Sequence, residues 1–275
     1  MTESTAMLSP AAALAWQAEM GVDECLDMAP SMPWEKPVAS APATVALAAS
    51  PRVTPTSTQP APTPGTLSVS ASEAITEATR LAQAATTLTE LEATIRGFNG
   101  CPLKKTATNT VFAQGAPESR VMFIGEAPGA DEDRQGVPFC GVSGQLLDKM
   151  LGFIGLDRAT GFYITNTLFW RPPGNRKPTT EELEICRPFV EKHIALVNPK
   201  LLVLVGGTAT QSVLGDSRGI TRLRGQVFSY KNDYMPAEVP VHVIYHPSYL
   251  LRQPIGKKQT WADLLALKKA LETIK

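Results

Sequence analysis

The sequence of 275 residues lacks the features that mark membrane and secreted proteins. No apolar run approaches the roughly 18 residues of a membrane span. The N-terminus has Glu3 where a signal peptide would carry lysine, and its apolar run Ala11–Trp16 is short. The four cysteines are scattered without paired spacing, as expected of reduced thiols in a cytosolic protein. We therefore predict a cytoplasmic protein without a membrane partner.

The chain also lacks net charge and the common nucleotide-binding loops. Lys plus Arg and Asp plus Glu both number 26. Residues 1–60 are poor in Lys and Arg, so the rest of the chain is mildly basic, which permits a nucleic-acid partner. Neither G-x-x-x-x-G-K-[ST] nor G-x-G-x-x-G follows a strand. This absence weighs against one alternative, an α/β enzyme that binds a nucleotide or phosphosugar.

Residues 1–71 are predicted to form a disordered tail and linker. Pro, Ala, Ser and Thr dominate residues 29–70, which offer too little apolar surface to pack. A weakly amphipathic patch over residues 8–20 predicts a fraying helix or a short docking segment. The tail could recruit a protein partner, although it contains no recognisable peptide motif.

Residues 72–275 are predicted to form one α/β domain. Apolar periodicity predicts a helix over residues 72–98, and apolar or β-branched runs predict four strands. The strands are 121–124, 162–168, 201–207 and 239–245, and helical patterns follow them at 142–151, 179–196, 208–214 and 257–274. This alternation predicts three layers, α/β/α, with a central and mainly parallel four-stranded sheet.

The candidate site lies at the ends of three predicted strands. The first strand leads into a loop with four glycines between Gly125 and Gly141, which let the backbone approach a ligand. The second ends at Asn166, whose planar amide suits a ring edge with adjacent N–H and C=O groups. The third ends at His246. In a parallel sheet these ends share one edge, where ligands of open α/β sheets bind.

Each of these side chains also has an ordinary structural explanation. Asn166 could cap a turn, and Phe139, within the glycine-rich loop, could belong to the core. A lone histidine such as His246 is more often structural than catalytic. Only the combination points to a specific chemistry.

In combination these motifs resemble the uracil-DNA glycosylase superfamily, and within it the family 4 type of bacteria and archaea. The resemblance runs from Cys101 to about Leu265. Gly125–Gly129 is similar to the first motif of the family, whose third residue, here Ala127, is small. Pro138–Gly141 is similar to the segment whose Phe, here Phe139, stacks on the flipped base.

The remaining motifs concern the uracil edge and the DNA. Asn166 matches the Asn that reads uracil, and His246–Arg252 is similar to the second motif. There, His246 contacts the uracil oxygen and the following residues enter the minor groove. Gly125, Ala127, Phe139 and Asn166 are thus the implied substrate-binding residues, and His246 is a catalytic one. Either Glu126 or Glu132 could hold the attacking water or offset the positive charge that develops on the sugar; the sequence leaves this choice open.

The residues proposed to contact DNA fall into two groups. The first comprises four arginines that could bind phosphates or equally form solvated surface, and the second follows His246. They are Arg171, Arg176, Arg224 and Arg252, together with Ser248, Tyr249 and Leu250. The resemblance implies a monomeric, monofunctional DNA repair hydrolase that removes uracil from DNA in base-excision repair and leaves an abasic site. The alternative is a non-catalytic or altered-specificity DNA-binding relative.

The sequence departs from the resembled family at its cofactor. Family 4 enzymes typically hold a [4Fe–4S] cluster, which requires four cysteine ligands. Here Cys101 and Cys186 stand at two of the four positions, and Phe98 and Trp170 stand at the others. We therefore predict no metal and no cofactor, with the two aromatic residues filling the volume and the two cysteines remaining as buried thiols.

Overall fold

The computed structural model describes residues 70–274. The predicted tail at residues 1–71 lies outside the described residues except for its last two. The nine helices of the described part are α1 (Ala71–Ala84), α2 (Leu88–Gly97), α3 (Ala130–Gln135), α4 (Val142–Gly152), α5 (Thr180–Val197), α6 (Gly207–Leu214), α7 (Ile220–Leu223), α8 (Pro247–Arg252) and α9 (Lys257–Ile274). The six strands in the same range are β1 (Ala113–Gly115), β2 (Val121–Gly125), β3 (Tyr163–Asn166), β4 (Leu201–Val205), β5 (Val227–Tyr230) and β6 (Val239–Ile244). Among these helices, none combines the length and apolarity needed to cross a bilayer.

The strands form one sheet in the order β1-β3-β2-β4-β6-β5. The inner four are parallel, and β1 and β5 pair antiparallel at the two edges. The prediction of four strands is therefore wrong in number, although the four predicted strands are the inner ones. β1 has only three residues and β5 exposes two of its four, so neither carries the long apolar run that marks a buried parallel strand.

Helices cover both faces of the sheet, so the prediction of three α/β/α layers is confirmed. Alternate residues of each inner strand point to opposite faces. Met122 and Ile124 of β2 join the core beneath α1, α2 and α5, whereas Val121 and Phe123 join the core beneath α4, α8 and α9. Both faces are mainly apolar, although Thr165 of β3 and His242 of β6 are polar residues buried within the sheet.

The helix predicted over residues 72–98 is in fact two helices, α1 and α2. Ala85 has extended backbone (φ −71°, ψ 128°), which ends α1. Thr87 then caps α2, because its side chain accepts a hydrogen bond from the N–H of Glu90 at 3.2 Å. The apolar periodicity continues across the break since both helices bury the same kind of face, with Ala82 in α1 and Leu91 in α2 fully buried.

Candidate active site

A cavity of about 410 Å³ lies at the carboxyl ends of the four parallel strands. Its walls come from the loops after β2, β3, β4 and β6. The lining residues are Glu126, Ala127, Pro128, Gly129, Glu132, Phe139, Ser143, Asn166, Pro172, Asn175, Arg176, Gly206, Gly207, His246, Ser248, Tyr249 and Arg252. The structure thus brings together residues from all three strand ends that the sequence singled out.

Asn166 is the last residue of β3 and lies beside Gly125, its partner in the parallel ladder with β2. Its side chain is 1% exposed, yet its Oδ1 atom has no hydrogen-bond partner in the described part of the chain. Burying an amide oxygen without a partner costs about 1–3 kcal/mol, so the position favours a ligand that supplies a donor. A Cβ at Gly125 would lie 2.5 Å from this oxygen, so only glycine leaves it room.

Phe139 forms a wall of the cavity next to Asn166. Its ring is 6% exposed and lies 5.7 Å from the His246 ring, at an interplanar angle of 33°. The Phe139 backbone is left-handed (φ 53°), a conformation that costs a bulky residue about 1–3 kcal/mol and that clusters at functional sites. A Cβ at Gly125 would lie 2.4 Å from the Phe139 Cζ atom, so the ring edge packs directly on the β2 backbone.

His246 follows β6 and is half-buried at the cavity wall. The N–H of Ser248 donates to His246 Nδ1 at 3.2 Å, and Ser248 Oγ lies 2.8 Å from the same nitrogen. Since Nδ1 accepts, the proton of the neutral ring lies on Nε2. Burial, with a smaller contribution from the Arg252 charge, lowers the pKa of His246 to about 4. His246 is therefore a neutral hydrogen-bond donor at neutral pH.

The two candidate carboxylates have different surroundings. Glu132 accepts hydrogen bonds from the N–H groups of Gly129 (3.0 Å) and Gly141 (2.9 Å), so it ties the ends of the β2–α4 loop together. The Glu126 carboxylate lines the cavity and has no partner among the described residues. Its backbone carbonyl is held by the Thr167 hydroxyl at 2.6 Å. Glu126 is thus the carboxylate that is free to bind a water molecule.

The predicted phosphate-binding arginines separate into two kinds. Arg224 does not line the cavity: it forms a buried ion pair with Asp263, at 2.6 and 2.8 Å, and is only 17% exposed. We correct its prediction as a phosphate contact, because its guanidinium is already occupied. Arg176 reaches the cavity but binds Glu182 through two hydrogen bonds, and its guanidinium lowers the pKa of that carboxyl. Arg171 and Arg252 have no carboxylate partner in the described residues.

The segment after His246 forms α8. Ser248 and Tyr249 line the cavity, but Leu250 is fully buried in the core under α4 and α9. The prediction that Leu250 contacts DNA is therefore wrong, because the helical turn directs it inward. Its neighbour Leu251 is 44% exposed and Ile255 is 86% exposed, so these are the apolar side chains that this segment presents to solvent.

The four residues that the sequence resemblance places at the cluster positions lie in the core beneath α1, α2 and α5. The Phe98 and Trp170 rings are 6.5 Å apart and stacked, and Phe189 packs edge-on against Phe98 at 5.1 Å. Cys101 and Cys186 are fully buried beside them. The hydrogen bond between these thiols and the burial of Cys186 raise the pKa of the Cys186 thiol well above its usual value. Two thiols and two large rings do not fit a cluster that needs four thiolates.

Sequence reasoning missed the contribution of β4. Gly206 and Gly207 follow this strand and line the cavity. Gly206 has φ 95°, and a Cβ there would lie 2.9 Å from the His246 Cβ, so a glycine is needed here to leave room for the histidine side chain. The signal was available, since a Gly-Gly pair directly after the most apolar strand follows the same strand-end rule as Gly125.

The arrangement suits a planar ring with adjacent polar groups. Asn166 offers an acceptor and a donor in one plane, Phe139 offers a stacking face, and His246 offers a neutral N–H. Glu126 adds a negative charge at the wall. Such a site can bind a nucleobase, stabilise negative charge that develops on it, and hold a water molecule close by.

Comparison with known proteins supports this description. The model of the Uracil DNA glycosylase superfamily matches residues 112–265. A type-4 uracil-DNA glycosylase from Archaeoglobus fulgidus is 39% identical over 167 residues, 59% of this chain and 82% of the relative. One from Thermotoga maritima is 37% identical over 159 residues, 58% and 80% of the two chains. A type-5 uracil-DNA glycosylase from Thermus thermophilus is 35% identical over 114 residues, 36% and 52% of the two chains.

Proposed function

The chain belongs to the uracil-DNA glycosylase superfamily, and from this we propose that it is a type-4 enzyme that hydrolyses the N-glycosidic bond of uracil in DNA. The product is an abasic site, which begins base-excision repair. The observation that carries this proposal is the partnerless Oδ1 of Asn166, buried in a cavity between the Phe139 ring and the neutral imidazole of His246. An N–H of the uracil ring supplies the donor that this oxygen lacks.

The base reaches the cavity by leaving the DNA stack. Unstacking and unpairing cost a few kcal/mol, which contacts in the pocket must offset. Stacking on Phe139 supplies about 1–3 kcal/mol of this, by analogy with aromatic residues that bind single strands. Asn166 accepts from uracil N3–H and donates to O4. Cytosine presents an amino group in place of O4, and two donors then face each other, so the amide discriminates between the bases.

Bond cleavage leaves negative charge on the departing uracil and positive charge on the sugar. His246, held neutral by its burial and by the Ser248 N–H on Nδ1, donates from Nε2 to the uracil oxygen O2. A donor fixed in place before the reaction stabilises the anion as it forms, without reorganisation. The resemblance implies that Ala127 stands where other branches of the superfamily place an Asp base. We assign the water to Glu126, because its carboxylate lines the cavity while Glu132 is occupied by two backbone N–H groups.

The assignment of the water to Glu126 predicts opposite outcomes for two conservative substitutions. We expect Glu126→Gln to lower the single-turnover excision rate by about 10²-fold with the melting temperature unchanged, since its carboxylate has no partner to lose among the described residues. Glu132→Gln removes one of the two carboxylate oxygens that accept hydrogen bonds from backbone N–H groups. We therefore expect its main effect to be a lower melting temperature and not a lower excision rate. A wild-type rate in Glu126→Gln, together with a large rate loss at unchanged melting temperature in Glu132→Gln, would reverse the assignment.

The DNA backbone is proposed to lie across the mouth of the cavity. Arg252 lines the cavity, and Arg171, which precedes the lining residue Pro172, donates to the lining residue Asn175 at 2.7 Å. Neither guanidinium has a carboxylate partner among the described residues, and phosphates bind such groups in a salt-dependent way. Arg176 lies at the same mouth, with its charge offset by Glu182. Tyr249, Leu251 and Ile255 present the aromatic and apolar surface that can occupy the opened groove.

We also propose that this enzyme works without an iron–sulfur cluster. The fully buried Trp170 donates its indole N–H to Thr110 Oγ1 at 3.0 Å, so this ring is fixed in the volume a cluster would need. We expect the wild-type protein, purified anaerobically, to contain no stoichiometric iron. Incubation of this protein with ferrous iron and sulfide should add no broad visible absorption. The variant Phe98→Cys/Trp170→Cys, which restores four cysteines, is the control that shows whether the procedure can load this fold. Stoichiometric iron in the wild type would contradict the proposal.

The direct test of the function is excision from a labelled oligonucleotide that contains one uracil, followed by alkali to reveal abasic sites. We expect the wild-type protein to cleave the uracil-containing oligonucleotide and to leave intact the same oligonucleotide with thymine in place of uracil. Folded protein that shows no cleavage of U·A, U·G and single-stranded substrates would contradict the enzyme assignment. Preferential binding of uracil-containing duplex without cleavage would then favour the non-catalytic relative. The monomeric state, the cytoplasmic location and a repair or replication partner for the N-terminal tail stay predictions.

A further inference from the structure

We propose that Arg158, which does not line the cavity, is a positioning residue that holds the Phe139 ring in its base-stacking place. The inference rests on the proposed function. It starts from the backbone of Phe139, whose left-handed conformation is unfavourable for a bulky residue and needs support from its surroundings. The structure shows that this support comes from Arg158.

Arg158 binds the backbone carbonyl groups on either side of the Phe139 Cα atom, which belong to Pro138 and to Phe139 itself. Its Nη2 donates to the Phe139 carbonyl at 3.0 Å, and its Nη1 donates to the Pro138 carbonyl at 3.2 Å. The Phe139 carbonyl is also confined on its other side, because a Cβ at Gly144 would lie 1.7 Å from that oxygen. The carbonyl is thus held between helix α4 and the guanidinium, which leaves the peptide one orientation.

The guanidinium is itself fixed by its other neighbours. Asp148 of α4 binds Nε and Nη2, with a closest distance of 2.6 Å, and Gln114 of β1 accepts from Nη1 at 3.0 Å. The Arg158 Cζ atom lies 5.8 Å from the centroid of the Phe162 ring, and the side chain is 19% exposed. All three nitrogen atoms of Arg158 therefore have partners, and a planar fork of this kind cannot be replaced by a point charge.

Fixing this backbone fixes the ring. The Phe139 ring packs on Gly125 on one side and lies near His246 on another, so a rotation of the Pro138–Phe139 peptide would move the stacking face away from the base. Small displacements of positioning groups lower turnover strongly even when substrate still binds. Arg158 should therefore affect kcat and uracil binding through Phe139, and should leave the affinity for the DNA backbone unchanged.

A double-mutant cycle separates this role from a merely structural one. We expect Arg158→Gln to lower kcat by about 10-fold with unchanged KM, and Phe139→Ala to lower kcat by about 30-fold. If Arg158 acts through Phe139, the kcat of the double variant should be at most about 2-fold lower than that of Phe139→Ala. Inhibition by free uracil should weaken in all three variants, by less in Arg158→Gln than in Phe139→Ala, and equally in Phe139→Ala and the double variant. Arg187→Gln, which removes an arginine with two carboxylate partners on α5, is the control and should leave kcat unchanged.

Additive losses in the cycle, or a fall in melting temperature without a change in kcat, would overturn the proposal. If Arg158→Gln does not fold, Arg158→Lys takes its place, because lysine can pair with Asp148 but cannot reach both carbonyls. Wild-type protein that does not excise uracil would contradict the proposed function itself. Excision with additive losses would contradict only the role of Arg158.

Discussion

Asn166→Ala is expected to lower kcat/KM for uracil excision by about 10³-fold without lowering the melting temperature. The substitution leaves uracil N3–H and O4 without partners in a buried cavity, and each unpaired group costs about 1–3 kcal/mol. Two such groups correspond to a loss of about 10³-fold at the middle of that range. The protein itself loses no hydrogen bond from Oδ1, which has no partner in the described residues, so the fold does not depend on this atom.

The matched control is a structural asparagine. Asn232 lies between β5 and β6 and donates to the Glu191 carbonyl at 3.0 Å and to the Tyr230 hydroxyl at 3.1 Å, away from the cavity. Asn232→Ala should lower the melting temperature while kcat/KM of the folded enzyme stays at the wild-type value. Asn166→Ala should thus lower activity without lowering stability, and Asn232→Ala should lower stability without lowering activity. An Asn166→Ala variant that keeps its activity would remove the amide from uracil recognition.

His246→Ala is expected to lower kcat by about 10²- to 10³-fold, the usual loss when one donor to a developing anion is removed. KM for DNA should change little, because the ring contacts the base and not the phosphates. An increase in KM with an unchanged kcat would contradict a role in leaving-group stabilisation.

The pH dependence of kcat gives a second and independent measurement on His246. Its pKa is lowered from 6.5 to about 4, so the neutral donor form persists as the pH falls through 6.5. We therefore expect kcat to be flat between about pH 5.5 and pH 8, and to fall only as the pH approaches 4 and the ring becomes charged. A transition near pH 6.5 that disappears in His246→Ala would show that the histidine titrates normally and would contradict the neutral-donor mechanism.

The sequence contains enough information for the centre of the fold and for the residues at three strand ends. Apolar runs such as Leu201–Val205 identify buried parallel strands, and the rule that parallel strand ends share one edge brings Asn166 and His246 together. The short edge strand β1 carries no such run. Its existence depends on pairing with β3, a contact between distant parts of the chain that local pattern does not encode.

Orientation within the site is the part that sequence could not supply. Leu250 and Leu251 are identical in type, and only the turn of α8 decides that the first is buried and the second exposed. The same holds for Arg224 and Arg252, which differ in whether a carboxylate such as Asp263 folds back against them. The choice between Glu126 and Glu132 likewise needed the positions of two backbone N–H groups. Each of these cases depends on three-dimensional position, and only the Arg224–Asp263 pair joins residues far apart in the sequence.

The aromatic packing of Phe98, Trp170 and Phe189 has a consequence for the conditions under which the enzyme can operate. If the enzyme works without a cluster, as proposed above, this core of rings is complete as soon as the chain folds and needs no cluster-assembly machinery and no iron supply. Oxidants that dismantle exposed metal clusters have no corresponding target among these rings. Under the same proposal, iron starvation should leave the amount of folded, active enzyme unchanged.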